Sequence, residues 1–375
     1  MSEFKVTSMK KATPFLLLFN LLYSIAYCQF FDLTSAQDNY NNGYYDIALN
    51  FLTTQGKEAK AFSKLPKSDK EKALILLTQI YIEMQDYPEA NKALIRLYKN
   101  NPNYKPTPGL YQEDFYRYAE TINARPVFSA GVKAGISFPR FNSHKVYSVY
   151  DSTDYSQLYK AQWGYCYTGY LQSNFERNFA LTLDYSYSKM GYQRTLKRNG
   201  VDNFELKYSE IIYSNEFGLS LKKYFFKKDT KLFMGQTIKH TSSGPYFSLG
   251  GYYSKMRQAQ ANAEVNYILT NRYTQSTQPK NLTRNNIDVI DMRNTKRLGL
   301  SAALGSSLTI DRFVISLEAK YLYDLSHFTN PEKRYSNTEL LYNYYYIDND
   351  VSMSRIDVSL SLAYILSYKV KSKIK

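Results

Sequence analysis

A two-residue rhythm takes over the chain at Val127 and persists almost to its end. Phe179-Ala180-Leu181-Thr182-Leu183-Asp184-Tyr185-Ser186-Tyr187-Ser188 alternates apolar with small or polar residues, and Ile356-Asp357-Val358-Ser359-Leu360-Ser361-Leu362-Ala363-Tyr364 does the same. A third run sets Phe313, Ile315, Leu317, Ala319, Tyr321 and Tyr323 against Ser316, Glu318, Lys320 and Asp324. Successive side chains of a strand point to opposite faces, so each run makes a strand with one greasy and one polar side. A soluble β-sandwich would satisfy that pattern too.

Three features favour a membrane barrel. The runs last about 10 to 15 residues, longer than the 5–6 of globular strands and near the length of a tilted span. Aromatic residues gather at strand ends, as in Tyr185 with Tyr187 and Tyr321 with Tyr323, where interfacial girdles belong. Short and long connections also alternate. Strands are expected near 127–139, 161–174, 179–191, 206–225, 244–257, 295–310, 313–325 and 351–369. Connections 140–160, 192–205, 258–294 and 326–350 are long and polar and are assigned to the outside, whereas 175–178 and 311–312 are tight turns and 226–243 is a longer link. The expectation is an eight-stranded antiparallel outer-membrane β-barrel occupying 126–375, with both of its ends in the periplasm.

Composition agrees. Thirty-nine of 375 residues are Tyr, whose apolar ring and polar tip suit a membrane–water boundary. Mean hydropathy is −0.48 and no uncharged apolar run is long enough for a spanning helix, which excludes a helical membrane protein but not a barrel. The net charge of +15 is spread along the chain without zinc-knuckle spacing, an RNP-like motif or an Arg-rich helix. No nucleic-acid partner is therefore expected, and a basic surface beside anionic lipid headgroups accounts for the charge.

The amino terminus reads as an export signal over 1–28. Met9-Lys10-Lys11 is followed by an apolar stretch from Pro14 to Leu22, and Ala26-Tyr27-Cys28 places small residues at −3 and −1 for cleavage before Gln29. A lipoprotein signal with Cys28 acylated is the rival, disfavoured by Tyr27 where a small residue belongs. Either way Cys166 is left alone in the mature chain, so no intramolecular disulfide and no thiolate metal site is expected.

Between the signal and the barrel, over 29–125, the period becomes helical. Lys70 to Tyr81 has apolar positions at helical spacing, with Ser68 as the expected N-cap and Glu71 as its capping-box partner. Asp86-Tyr87-Pro88 interrupts, and a second helix runs from Glu89 to Tyr98 before Asn101-Pro102. The Tyr87-x-x-Ala90-x-x-Ala93-Leu94 pattern resembles a tetratricopeptide repeat. Gly43-Tyr44-Tyr45-Asp46-Ile47-Ala48-Leu49 echoes it, with Tyr45 matching Tyr87 and Ala48 matching Ala90 at an offset of 42. The family period is about 34, so the first unit needs an insertion near Gly56–Pro66. Further helix is expected at 110–122, and Pro126 marks the boundary. The resemblance implies a periplasmic surface that holds a peptide or protein, with Tyr45, Ala48, Tyr87, Ala90 and Leu94 as candidate partner-binding positions. A plain helical spacer remains the alternative.

The first barrel strand, Phe128-Ser129-Ala130-Gly131-Val132-Lys133-Ala134-Gly135-Ile136-Ser137-Phe138, resembles the opening of the PorT-like outer-membrane β-barrel family, abundant in Bacteroidetes. The resemblance covers about residues 127–370 and implies the barrel fold. A few members of that family assist protein secretion. One departure is the ending Tyr368-Lys369-Val370-Lys371-Ser372-Lys373-Ile374-Lys375, where many such barrels finish on an aromatic residue.

Lys133, Asp184, Glu210, Glu216, Lys222, Arg297, Glu318, Lys320 and Asp357 fall on the polar side of their strands. Both signs are present, so they are expected to neutralise one another in a lumen only wide enough for side chains. No HExxH, GxSxG or Gly-rich phosphate cradle occurs, and no cofactor, metal or catalytic residue is assigned. The leading expectation is a non-enzymatic barrel with a periplasmic helical interaction domain, serving envelope assembly or protein secretion. One alternative is a small transport or adhesion barrel acting through Tyr342, Tyr344, Tyr345 and Tyr346 in the outer loops. Another is an outer-loop hydrolase using His144 and His327 with Asp151, Asp154 or Asp348.

Overall fold

The computed structural model describes residues 32–53, 65–107, 109–147, 159–175, 178–198, 204–225, 228–234, 237–270 and 277–372. The expected export signal lies outside these residues. Two compact units emerge, one built on the chain up to Ala124 with the segment from Val370, the other on Arg125–Lys369.

The first unit is helical: α1 (Leu33–Asn41), α2 (Tyr45–Leu52), α3 (Lys67–Glu83), α4 (Tyr87–Asn100) and α5 (Glu113–Glu120). Asp32 caps α1, its carboxylate accepting from the Thr34 and Ser35 amides at 3.0 and 3.1 Å. Gly43, at φ +80°, supplies the left-handed residue that turns the chain into α2. Asp86 caps α4 through the Glu89 amide, with Pro88 in the first turn. The expected capping box on α3 does not form. Helix begins one residue before Ser68, at Lys67, and Glu71 instead accepts from the Asn101 side chain at 3.1 Å. Ala36, Ala48, Ala73 and Ala93 are sealed with Leu52, Leu76, Leu77 and Ile80, small side chains letting helix axes approach. A second cluster joins Leu74, Leu94, Leu97 and Phe115, and the Tyr98 hydroxyl donates to the Ala119 carbonyl at 3.2 Å.

The second unit is a closed sheet. Its strands are β1 (Ile122–Lys145), β2 (Tyr159–Asn174), β3 (Phe179–Arg198), β4 (Phe204–Tyr224), β5 (Lys228–Met234), β6 (Thr237–Thr270), β7 (Thr277–Asp288), β8 (Lys296–Ile310), β9 (Phe313–Asp324) and β10 (Asp350–Ser372). Eight of them form a ring in the order β1, β2, β3, β4, β6, β8, β9, β10, with β10 pairing back to β1. Among the described residues β5 pairs with the start of β6 alone, and β7 pairs with its far part. The link 226–243 is therefore largely a hairpin rather than a loop, and connection 258–294 is largely an extension of β6 and its return strand. Thr277-Gln278-Pro279-Lys280-Asn281-Leu282-Thr283 carries no run of alternating apolar residues. Such a strand projects past the hydrocarbon and leaves no two-residue signature to read.

Polarity is inverted relative to a soluble fold. Val132, Tyr167, Leu183, Phe217, Leu300 and Leu360 are exposed on the outer wall, while Ser, Thr and charged residues line the inside. On β10 the exposed apolar band runs from Ile356 to Leu366. Ten steps at about 3.4 Å, tilted by about 40°, give a height of about 26 Å, the span of a barrel's hydrocarbon belt. This is an eight-stranded membrane β-barrel. Inside, Tyr252 and Tyr246 lie against Gly299 and Gly305, their directly paired neighbours on β8. A Cβ at either glycine would collide with the ring, so these pairs seat two large inward aromatics in a narrow bore.

Candidate functional site in the lumen and loop end

Along β4, Lys222, Glu216 and Glu210 face inward at successive levels, and each anchors a polar network. Nearest the short turns, Lys133 meets Glu318 at 2.6 Å, the Tyr246 hydroxyl donates to Glu318 at 2.9 Å, and Lys222 donates to Gln172 at 3.2 Å. Lys320 on β9 reaches Asp184 on β3 at 3.4 Å. In the middle, Arg355 on β10 grips both carboxylate oxygens of Glu216, one at 2.6 Å, and its Nε lies 3.2 Å from Asp357. Ser137 donates to Asp357 at 2.6 Å. Arg297 pairs with Asp324, which also accepts from Tyr252 at 2.5 Å.

β3 and β9 are four strands apart in either direction around the ring, as are β4 and β10. The Lys320–Asp184 and Arg355–Glu216 pairs therefore cross the whole lumen. Seven of the nine charges singled out in sequence, Lys133, Asp184, Glu216, Arg297, Glu318, Lys320 and Asp357, sit on this inner wall in such ion pairs; Lys222 meets Gln172 there, and Glu210 lies further toward the long-loop end. Pairing of this kind is what allows charges out of water, since an unpaired buried ion costs several kcal/mol, on the order of 3–5.

Toward the long-loop end the interior turns apolar. The segment between β9 and β10 holds a short turn of 3-10 helix (Pro331–Lys333) and α6 (Thr338–Asn343). It is not simply an outer polar loop: Phe328, Leu340, Tyr344 and Tyr346 fold inward against Leu206, Met256 and Met292. Tyr208 and Tyr346 stack with ring centroids 3.9 Å apart. Tyr345, at φ +54°, makes the reversal that leaves Tyr344 and Tyr346 buried while Tyr342 and Tyr345 are exposed. Within this plug Arg293 meets Glu210 at 2.7 Å and Asp348 at 2.6 Å. Tyr192 and Tyr208 each donate to Glu210 at 2.8 Å, and Tyr346 donates to Asp348 at 2.7 Å. Burial works against the Arg293 charge, but Asp348 and Glu210 outweigh it and raise its pKa well above the ordinary value. Burial, then the Asp348 charge, holds the Tyr346 phenol well above its usual range.

The histidines are brought together in part. His144, near the end of β1, has its ring 5.9 Å from that of His327, and its Nε2 lies 2.8 Å from the Ser352 hydroxyl. Asp348 is engaged by Arg293 rather than by either imidazole. Asp151 and Asp154 lie outside the described residues. Among those residues no three of the His, Cys, Asp and Glu side chains gather as a metal site.

In the helical unit, Ala48, Ala90 and Leu94 are fully buried between helices, Tyr45 is half-buried, and Tyr87 is exposed with its ring stacked on Tyr118 at 5.6 Å. The open positions are instead Tyr44, the N-cap residue of α2, with Ile47 and Phe51 on the helix, a stripe at helical spacing. That spacing was readable in the sequence, but there it is indistinguishable from a core face.

No family model and no curated protein matches the chain. Among solved structures it is similar to neisserial surface protein A, at 13% identity over 65% of this chain and 99% of that one, with a TM-score of 0.28. It is also similar to the outer membrane protein OprG from Pseudomonas aeruginosa, at 11% identity over 64% and 96%, with a TM-score of 0.33. A third is Ail, the attachment invasion locus protein of Yersinia pestis, at 11% identity over 64% and 100%, with a TM-score of 0.20.

Proposed function

We propose that this chain is a non-enzymatic outer-membrane anchor whose helical unit, in the periplasm, holds a partner protein of the cell envelope. The observation that carries the proposal is the exposed stripe of Tyr44, Ile47 and Phe51 at the start of and along α2. Three large apolar side chains on one short helix and its cap are costly to leave in water, and a partner that covers them regains that free energy. The resemblances to tetratricopeptide repeats and to PorT-like barrels support a role in envelope assembly or secretion, after export by the signal at 1–28. Two ion pairs across the lumen and a packed loop end argue against diffusion straight through the bore. The test is a photo-crosslinking residue at Ile47 or Phe51 in the full-length protein in cells. A discrete crosslinked envelope protein, lost on Tyr44→Glu, is expected; no crosslink from either position in a folded barrel sinks the idea.

A second reading is adhesion through the loop end. Tyr335, Tyr342 and Tyr345 project from a segment whose other side is packed into the plug, which presents rigid aromatic contacts at low entropic cost. Loss of surface binding in Tyr342→Ala and Tyr345→Ala, with the barrel intact, would favour it.

A further inference from the structure

We infer that the outer wall of β3, β4 and β6 carries a binding site for an anionic lipid, its phosphate held by Lys189 and Arg257. Cross-strand register sets Tyr165, Lys189 and Tyr213 in one row on β2, β3 and β4. The next row is Tyr167, Tyr187, Asn215, Lys255 and Lys296. These positions alternate with the inward residues of their strands, so they face away from the lumen. The Lys189 ammonium lies 5.9 and 5.7 Å from the ring centroids of Tyr165 and Tyr213. Arg257 falls at the register shift opposite Tyr213 and Ser214, a bulge of the kind that re-aims a side chain. With the Asn215 amide turned to satisfy its neighbours, its oxygen accepts from Arg257 Nε and Nη2 at 3.0 and 3.2 Å and from the Tyr185 hydroxyl at 2.9 Å. The guanidinium is thereby fixed in place, with its Nη1 group outside that contact.

Charge points to an anion. Among the described residues no carboxylate pairs with Lys189, Lys255, Arg257 or Lys296, whereas Glu205 and Glu264, further along this wall, have Lys197 and Lys207 at 3.0 and 3.9 Å. Four neighbouring cations without a counter-charge at the top of an apolar belt repel one another until an anion joins them. Lys189 on β3 and Arg257 on β6 flank Tyr213 on the strand between them, and a guanidinium and an ammonium with phenolic donors nearby match phosphate oxygens.

Shape points to a lipid rather than a free ion. On the other side of Tyr185 and Tyr187, over β2, β1 and β10, the outer surface opens into an apolar groove of about 710 Å³, with Val132, Ala134, Tyr167, Gly169 and Leu360 among its lining residues. Gly169 leaves open space there: a Cβ at that position would meet nothing within 4 Å. A headgroup phosphate on the cations and an acyl chain along the groove would occupy both features at once.

The experiment is native mass spectrometry of the full-length, detergent-solubilised protein with dioleoyl phosphatidic acid, dioleoyl phosphatidylcholine or inorganic phosphate. Retention of phosphatidic acid over phosphatidylcholine is expected, with at least a tenfold loss in the Lys189→Gln/Arg257→Gln variant and no competition from inorganic phosphate. Gly169→Leu, which fills the groove without touching the cations, should also weaken retention severalfold and serves if the double variant fails to fold. Equal retention of the two lipids, unchanged retention in either variant that shows heat-modifiable mobility, or displacement by inorganic phosphate would overturn the proposal.

Discussion

Arg355 on β10 and Glu216 on β4 stand on opposite walls of the barrel, and their paired contact, one arm of it 2.6 Å, closes the lumen from side to side. Both side chains are buried, and Asp357, Ser188 and Ser254 complete their surroundings. A strut of this kind is a stability element and a barrier at once.

Breaking it from one side leaves a charge stranded in the bore. Glu216→Gln or Arg355→Met should each destabilise the barrel by about 3–5 kcal/mol, and a matched apolar replacement of both should recover much of that loss. Urea unfolding in detergent, read by heat-modifiable mobility, measures it. A near-zero single-mutant effect would show that the pair does not hold in the folded protein. In planar bilayers the wild-type protein should show no steady conductance.

The plug should behave as core rather than as loop. Tyr346→Ala removes a ring stacked on Tyr208 and should cost about 3 kcal/mol, whereas Tyr342→Ala, on the exposed side, should cost under about 0.5 kcal/mol. Limited proteolysis should then cut the segment between β9 and β10 in Tyr346→Ala alone. Equal cutting in both variants would contradict the inward packing.

The histidine pair offers a direct check on catalysis. Ser352 touches His144, but no described carboxylate orients either imidazole. A fluorophosphonate probe should leave Ser352 unlabelled. Labelling that disappears in His144→Ala would establish a hydrolase.

The helical unit should fail in alkali. Burial pushes the phenols of Tyr40 and Tyr98 up to about 12, against an ordinary value of 10.0. A raised pKa means that the stabilisation is complete below pH 10 and drains away as pH climbs toward 12. Ellipticity at about 222 nm on the full-length protein should fall across that window, less steeply in Tyr98→Phe. A flat signal to pH 12 would show that burial does not hold these phenols neutral.

Much of the barrel could be read directly because its determinant is local. A strand whose two faces meet lipid and lumen must alternate, and Phe179 to Ser188 or Ile356 to Tyr364 does so regardless of what it pairs with. Inward charges such as Glu318 and Lys320 were legible for the same reason: their position on the strand sets their side. β7 was not legible, because both its faces tolerate polar residues. The cap on α3 was misplaced because Glu71 had a competing partner in Asn101, thirty residues away.

Alternation along the chain determined that a sheet would form, which side of each strand would be greasy, and that the charges would share an interior. Closure decided the rest. Only when β10 returns to β1 do Arg355 and Glu216 come face to face, and only the fold-back at Tyr345 separates buried Tyr344 and Tyr346 from exposed Tyr342. Side-chain direction repeats every two residues and is written locally. Which residues meet across a bore depends on strand stagger around the whole ring, a property no single segment carries.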